Sequence, residues 1–512
     1  MSSDTILQNL FSTVETRYGK VRGIINGGVH GFQGVPYGDD TGGPARFQPP
    51  RPPKPWIGVR DCFGPGHASP QVPTPIGHTY AQLIYFDRAV SECGMSEDCL
   101  HLSVWTPGVN DGGKRPIMVS LHGGGFAISS GSAALYDGAQ LASGEDVVVV
   151  SVTHRLASFG YLGLKGLGAD ERFDTAGVSG ILDLVQALQW VRDHAATFGG
   201  DADRVMIFGQ SGGGWKTSML LAAPAARGLF HRAAVQSGSW NRVLTEDEGA
   251  RLALALLNTL GLGSNEVARL VDLPFDQILA AQTVIGALAF SPVLNETALP
   301  HQPLDPAALD FSRDIPVIIS TMLDDAGLFL DSFSLDEEGL KAVLSQTYGD
   351  RAGELLALYR RQYPAKSAYL LHAQMVTDAG FRRLADTQAE ARVRHGAPVW
   401  RYQWDWPSPA WDGLFGAAHA MDVSATFNNV RDPLLGAGHA TGRKLAGGLS
   451  SAFARFAATG DPQTPKLPAW PRFRLEDRAC LILDENPHVA SDPNPALRAF
   501  WNTLPPPVSV LG

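Results

Sequence analysis

Cysteine, charge and long apolar runs are all scarce in this chain. Its 512 residues include 4 cysteines, too few for a disulfide framework at this size. Cys62, Cys93, Cys99 and Cys480 form no CxxC pair and no Cys/His cluster at zinc spacing, so no metal and no cofactor are expected. Charged residues make up 18% of the chain and leave a net charge of −10. That balance opposes a nucleic-acid partner, which needs a basic face. No unbroken apolar run reaches the about 20 residues of a membrane span. Residues 1–19 hold Asp4 and Glu15 against a single Arg17, without the basic start and apolar stretch of a secretory leader. The last residues, Pro505 to Gly512, carry no retention or lipid-anchor signal. A cytoplasmic protein is the expectation.

What is present is a large supply of core. Hydrophobic residues reach 44%, which excludes global disorder. Short runs that read as buried strands, at 117–121, 147–152, 205–208, 233–236, 316–320 and 399–403, alternate with helical patterns. That alternation predicts an α/β fold with a mainly parallel sheet. The clearest helix is expected over 179–197, where Ile181, Leu184, Val185, Leu188 and Val191 recur at helical spacing before Gly199-Gly200. Residues 34–75 are rich in Pro and Gly and read as irregular. Segments 241–310 and 332–395 read as helical insertions between strands. No repeat or linker divides the chain, so 1–512 is read as one domain.

Two glycine-rich motifs carry chemistry. Val205–Phe208 runs into Gly209-Gln210-Ser211-Gly212-Gly213, and a helical pattern containing Trp215, Met219 and Leu220 follows. This strand-turn-helix context is that of a nucleophile elbow, whose tight turn lifts the serine hydroxyl above the sheet. With 56 glycines in the chain, the pentapeptide alone carries little weight. A second motif, His122-Gly123-Gly124-Gly125-Phe126, follows the strand-like 117–121. Acyl transfer develops negative charge on the carbonyl oxygen, and exposed backbone N–H groups at such glycines can bind it.

Together with ordered matches elsewhere, these motifs resemble the type-B carboxylesterase family, which includes cholinesterases, bacterial carboxylesterases and some fungal lipases. The matches run from Phe32-Gln-Gly-Val-Pro-Tyr37 and Arg46-Phe47 through Glu97-Asp-Cys-Leu-His-Leu-Ser-Val-Trp-Thr-Pro107 and Arg155-Leu156. They continue with Gly180-Ile-Leu-Asp183, Gln236-Ser-Gly238 and Gly460-Asp-Pro462, and span about residues 15–475. The resemblance implies an α/β-hydrolase domain with a small N-terminal sheet and helical insertions over the active site. It implies Ser211 as nucleophile and His419, in Gly416-Ala-Ala-His-Ala-Met-Asp422, as general base. The acid falls on Asp325, where the family has Glu; Asp324 is the alternative. The oxyanion hole maps to the N–H groups of Gly124, Gly125 and Gly212, and Ser237 matches a serine that supports the acid.

Three departures set this chain apart. Ser69 stands where relatives carry the cysteine that pairs with the one in Glu-Asp-Cys, so Cys99 is expected to be a free thiol. Gln210 replaces the acidic residue before the nucleophile. No Trp lies between Val72 and Asp98, where cholinesterases keep an aromatic platform, so choline esters are not expected substrates. The reading is a cofactor-independent serine esterase acting on small, uncharged carboxylic esters. Phe126, Trp240, Phe290, Leu328 and Phe329 are the candidate pocket residues. An amidase or carbamate hydrolase on the same groups is the alternative. A non-catalytic, cholinesterase-like interaction protein is the third reading, opposed by the retained serine, histidine, acid and glycines.

Overall fold

The computed structural model describes residues 10–72, 93–330, 332–431 and 436–507; the side chain of Leu328 lies outside the described set. Thirteen strands make one sheet: β1 Phe11–Thr16, β2 Gly19–Asn26, β3 Val29–Pro36, β4 Val59–Asp61, β5 His101–Thr106, β6 Arg115–Leu121, β7 Val148–Val152, β8 Gly200–Gln210, β9 Arg232–Gln236, β10 Val317–Met322, β11 Val399–Trp404, β12 Cys480–Leu483 and β13 His488–Ala490. Their order is β1-β2-β3-β5-β7-β6-β8-β9-β10-β11-β12-β13, with β4 on β2. The run from β7 to β12 is parallel throughout. β1, β2, β3 and β5 pair antiparallel and join this run through β3–β5 and β5–β7, while β4 pairs parallel with β2. The small N-terminal sheet implied by resemblance is thus continuous with the large one.

The central strands are apolar on both faces because helices cover both. Side chains alternate across a strand, so Ile117, Val119 and Leu121 enter one core with Val205, Ile207, Val317 and Ile319. Met118, Met206, Phe208 and Ile318 enter the opposite core. The helix Ser179–His194 buries Ile181, Leu184, Val185, Leu188 and Val191 in the first. The helix Ala440–Thr459 buries Leu445, Leu449, Phe453 and Phe456 in the second. No helix among the described residues is long and apolar enough to cross a membrane.

Motifs distant in sequence meet in this frame. Arg155 and Asp183 form a fully buried ion pair at 2.6 Å, with a second bond at 2.9 Å. Arg46 grips both oxygens of Glu97 at 2.5 Å. The helical insertion between β10 and β11 comprises Glu337–Tyr348, Ala352–Gln362, Ala368–Thr377 and Arg383–Arg394. It packs its own small core of Leu340, Leu344, Leu355 and Met375.

Candidate active site

Four neighbouring parallel strands deliver the candidate residues other than His419 at their C-terminal ends, the usual location of sites on open α/β sheets; His419 lies on the loop after β11, just before the helix Met421–Thr426. β6 ends at Leu121 and opens into His122–Gly125. β8 ends at Gln210 before Ser211, β9 at Gln236 before Ser237, and β10 at Met322 shortly before Asp325. Adjacent strand ends are tied directly: Ser211 N donates to Gln236 O at 2.8 Å, and Ser237 N to Ser320 O at 3.0 Å.

Ser211 has φ 59° and ψ −125°, a conformation that only glycine adopts without strain. The turn around it tolerates this because its neighbours lack Cβ atoms. A Cβ on Gly213 would sit 2.0 Å from Leu121 O, and one on Gly238 would sit 2.3 Å from Ser211 O. Glycine at those places is a packing requirement.

His419 Nδ1 lies 2.6 Å from Asp325 Oδ1, with the two side chains 1% and 0% exposed. A carboxylate only accepts, so Nδ1 carries the hydrogen of this bond. Nε2 is buried and makes no hydrogen bond. The other oxygen of Asp325 accepts from Ser237 Oγ at 3.0 Å and from Met322 N at 2.8 Å. Asp324 points elsewhere, pairing with Lys366 and accepting from Ala417 N at 3.0 Å. Of the two candidate acids, Asp325 is the one that meets the histidine.

The three glycine N–H groups are aimed through the carbonyls of their own peptides. Gly123 O, in the peptide that carries Gly124 N–H, accepts from His122 Nδ1 at 2.9 Å. Gly124 O, in the peptide of Gly125 N–H, accepts from Ala127 N and Ile128 N at 3.2 and 3.0 Å. Ser211 O, in the peptide of Gly212 N–H, accepts from Trp215 N at 3.0 Å. Gly124 and Gly125 have φ of 82° and 63°, where a side chain is strained. A Cβ on Gly212 would lie 2.3 Å from Gly125 N, so the two donor segments are packed against each other.

Two aromatic rings pack on the histidine. Phe329 and Phe381 lie 5.3 and 5.2 Å from the His419 ring, and Trp215 and Trp240 lie 4.3 Å apart in a tilted pair. Phe381 and Leu384 join Trp215, Trp240 and Phe329 in one cluster. Of the pocket candidates, Trp240 and Phe329 belong to this cluster, and Phe126 packs on Trp215 at 5.6 Å. Phe290 is completely buried in the main core, a packing position. Trp215 and Phe381 are members of the cluster that sequence reasoning missed. Trp215 reads as an ordinary apolar helix position, and Phe381 sits in the π-helical turn Asp378–Arg382, which has no sequence signature.

Ser69 Oγ, at the position of the absent family cysteine, accepts from Leu156 N at 3.2 Å and contacts Cys99. Cys62, Cys99 and Cys480 are buried free thiols. Burial pushes the Cys99 thiol far up.

A mainly parallel sheet between helical layers, a strained serine elbow after β8 and a buried His–Asp pair define an α/β-hydrolase. The profile of the carboxylesterase family matches residues 11–501. The chain is 35% identical to the para-nitrobenzyl esterase of Bacillus subtilis over 94% of this chain and 96% of that one. It is 33% identical to the phenmedipham hydrolase of Pseudarthrobacter oxydans, over 93% and 96%. The solved carboxylesterase of Geobacillus stearothermophilus superposes with a TM-score of 0.82 at 33% identity, covering 96% of this chain and 99% of that one. The chain belongs to the carboxylesterase family and is a carboxylic ester hydrolase.

Proposed function

We propose that this protein hydrolyses uncharged, fairly apolar carboxylic esters through an acyl-enzyme on Ser211. The observation that carries the reading is the 2.6 Å bond from His419 Nδ1 to Asp325, which in the neutral imidazole makes Nε2 the nitrogen that receives the Ser211 proton. As Ser211 Oγ bonds to the ester carbonyl carbon, its proton passes to Nε2 and the carbonyl electron pair moves to oxygen. Gly124, Gly125 and Gly212 N–H groups hold that oxyanion. Collapse breaks the C–O bond to the alcohol, which leaves with the proton from His419. Water then repeats both steps, releases the acid and restores Ser211. Asp325 stays ionised and stabilises the imidazolium.

The substrate class rests on the aromatic wall of Trp215, Trp240, Phe329 and Phe381 and on neutral Gln210 beside the nucleophile. The test is a series of p-nitrophenyl esters of increasing acyl length, with one matched anilide and one matched carbamate. Short-to-medium acyl esters should turn over well and the anilide slowly. A clear preference for the anilide or the carbamate would replace the esterase reading by the amidase or carbamate-hydrolase one.

A further inference from the structure

Lys216 is fully buried in the helix Gly212–Leu221 that follows the nucleophile. Lysine is among the residues least often buried without a charged partner, and no carboxylate pairs with this one among the described residues. Its Nζ donates to His122 O at 2.8 Å. On the other side of the same peptide, Gly123 N donates to Tyr136 Oη at 2.7 Å. The peptide between His122 and Gly123 is therefore held at both its carbonyl and its N–H, one peptide before the first donor glycine. The nearby basic groups are His122 and His154, whose rings stack 5.0 Å apart. Both are fully buried, and their Nε2 atoms have no partner. Burial and the neighbouring Lys216 push both imidazoles well down, and burial does the same to Lys216 itself.

An amine in such a place costs stability. A methionine would fill the same space without a buried amine but would leave His122 O without this donor, so it is the bond, not the packing, that accounts for the lysine. We propose that Lys216 is a positioning residue: its bond to His122 O, with Tyr136 as counter-hold, fixes the plane from which the Gly124 and Gly125 N–H groups are aimed. This inference rests on the assignment of those glycines to the oxyanion hole. A donor group displaced by a fraction of an ångström loses much of its transition-state stabilisation while ground-state binding hardly changes.

The test compares Lys216→Met, Lys216→Gln and Tyr136→Phe with the unaltered enzyme. Measurements are kcat, KM, thermal midpoint and the inhibition constant of a trifluoromethyl ketone, which forms a tetrahedral oxyanion on the nucleophile. Active-site titration with a phosphonate first establishes that Ser211 reacts in each protein, which separates failure of this inference from failure of the serine assignment. Lys216→Met should keep or raise the thermal midpoint, lower kcat by about 10–100-fold with KM within about 3-fold, and weaken the ketone by the same factor as kcat. Lys216→Gln, which keeps an N–H donor, should recover part of both losses. Tyr136→Phe should show the same paired loss, smaller in size. If Lys216→Met folds and keeps kcat and ketone affinity within about 2-fold, Lys216 is only a core residue and the proposal fails. If that variant does not fold, Tyr136→Phe decides: unchanged kcat and ketone affinity there overturn the proposal equally.

Discussion

Asp324 and Asp325 are adjacent in the chain but serve different partners. Asp325 accepts a hydrogen bond from His419 Nδ1 at 2.6 Å. Asp324 pairs with Lys366, accepts from Ala417 N at 3.0 Å, and donates through its own N–H to Ala417 O at 3.1 Å. One residue orients the imidazole, and the other ties the acid loop to the histidine loop. Asp325→Asn should therefore lower kcat by about four orders of magnitude with little change in KM, the scale of acceptor loss in another triad. A loss below about 10-fold would show that another carboxylate orients His419.

Asp324→Asn should act mainly on stability. It leaves Lys366 without its buried counter-charge, a change that costs on the order of 3 kcal/mol. The urea midpoint should fall, while kcat of the folded fraction falls far less than in Asp325→Asn. Equal kcat losses in the two variants would contradict the division of labour.

Gly212→Ala tests the close approach of the donor segments. The added Cβ would meet Gly125 O and N at 2.2 and 2.3 Å, so one segment must move. We expect kcat to fall by about 100-fold, in the range for loss of one oxyanion donor, with the fold retained by circular dichroism. Unchanged kcat would mean that the loop has room to adjust.

Asp422 supplies a pH prediction. It accepts from Tyr402 Oη at 2.7 Å and Gln236 Nε2 at 3.1 Å, and burial pushes its carboxyl up to about 6. Between the ordinary carboxylate range and about 6, the folded protein holds a proton that the unfolded chain has lost. Stability from this group therefore falls as pH rises through that window. Urea unfolding of Asp422→Asn should show the variant gaining on the parent by about 2 kcal/mol between pH 4 and pH 7. A pH-independent difference would contradict it.

Much of this was legible in the sequence because it depends on local rules. Apolar runs of four to six residues mark β6 to β11, and glycine spacing marks the elbow. β1 and β2 escaped because they hold few apolar residues, Phe11 and Val14 in one and Val21, Ile24 and Ile25 in the other, with neither an apolar run nor a regular alternation. The order of serine, acid and histidine located the triad candidates, but spacing did not separate Asp324 from Asp325. That choice depends on which side of the loop faces His419, a tertiary matter. Lys216 was invisible for a related reason: a lysine on a helix reads as solvent-facing until the loop that covers it is placed.

The central claim is that Ser211 forms the acyl-enzyme, and covalent trapping tests it most directly. The enzyme is treated with a p-nitrophenyl phosphonate until activity is lost, then digested and mapped by mass spectrometry. One phosphonyl group should be found per chain, on the peptide containing Ser211, and Ser211→Ala should take up none while remaining folded. Stoichiometric labelling of any other residue, or full ester hydrolysis by Ser211→Ala, would contradict the account.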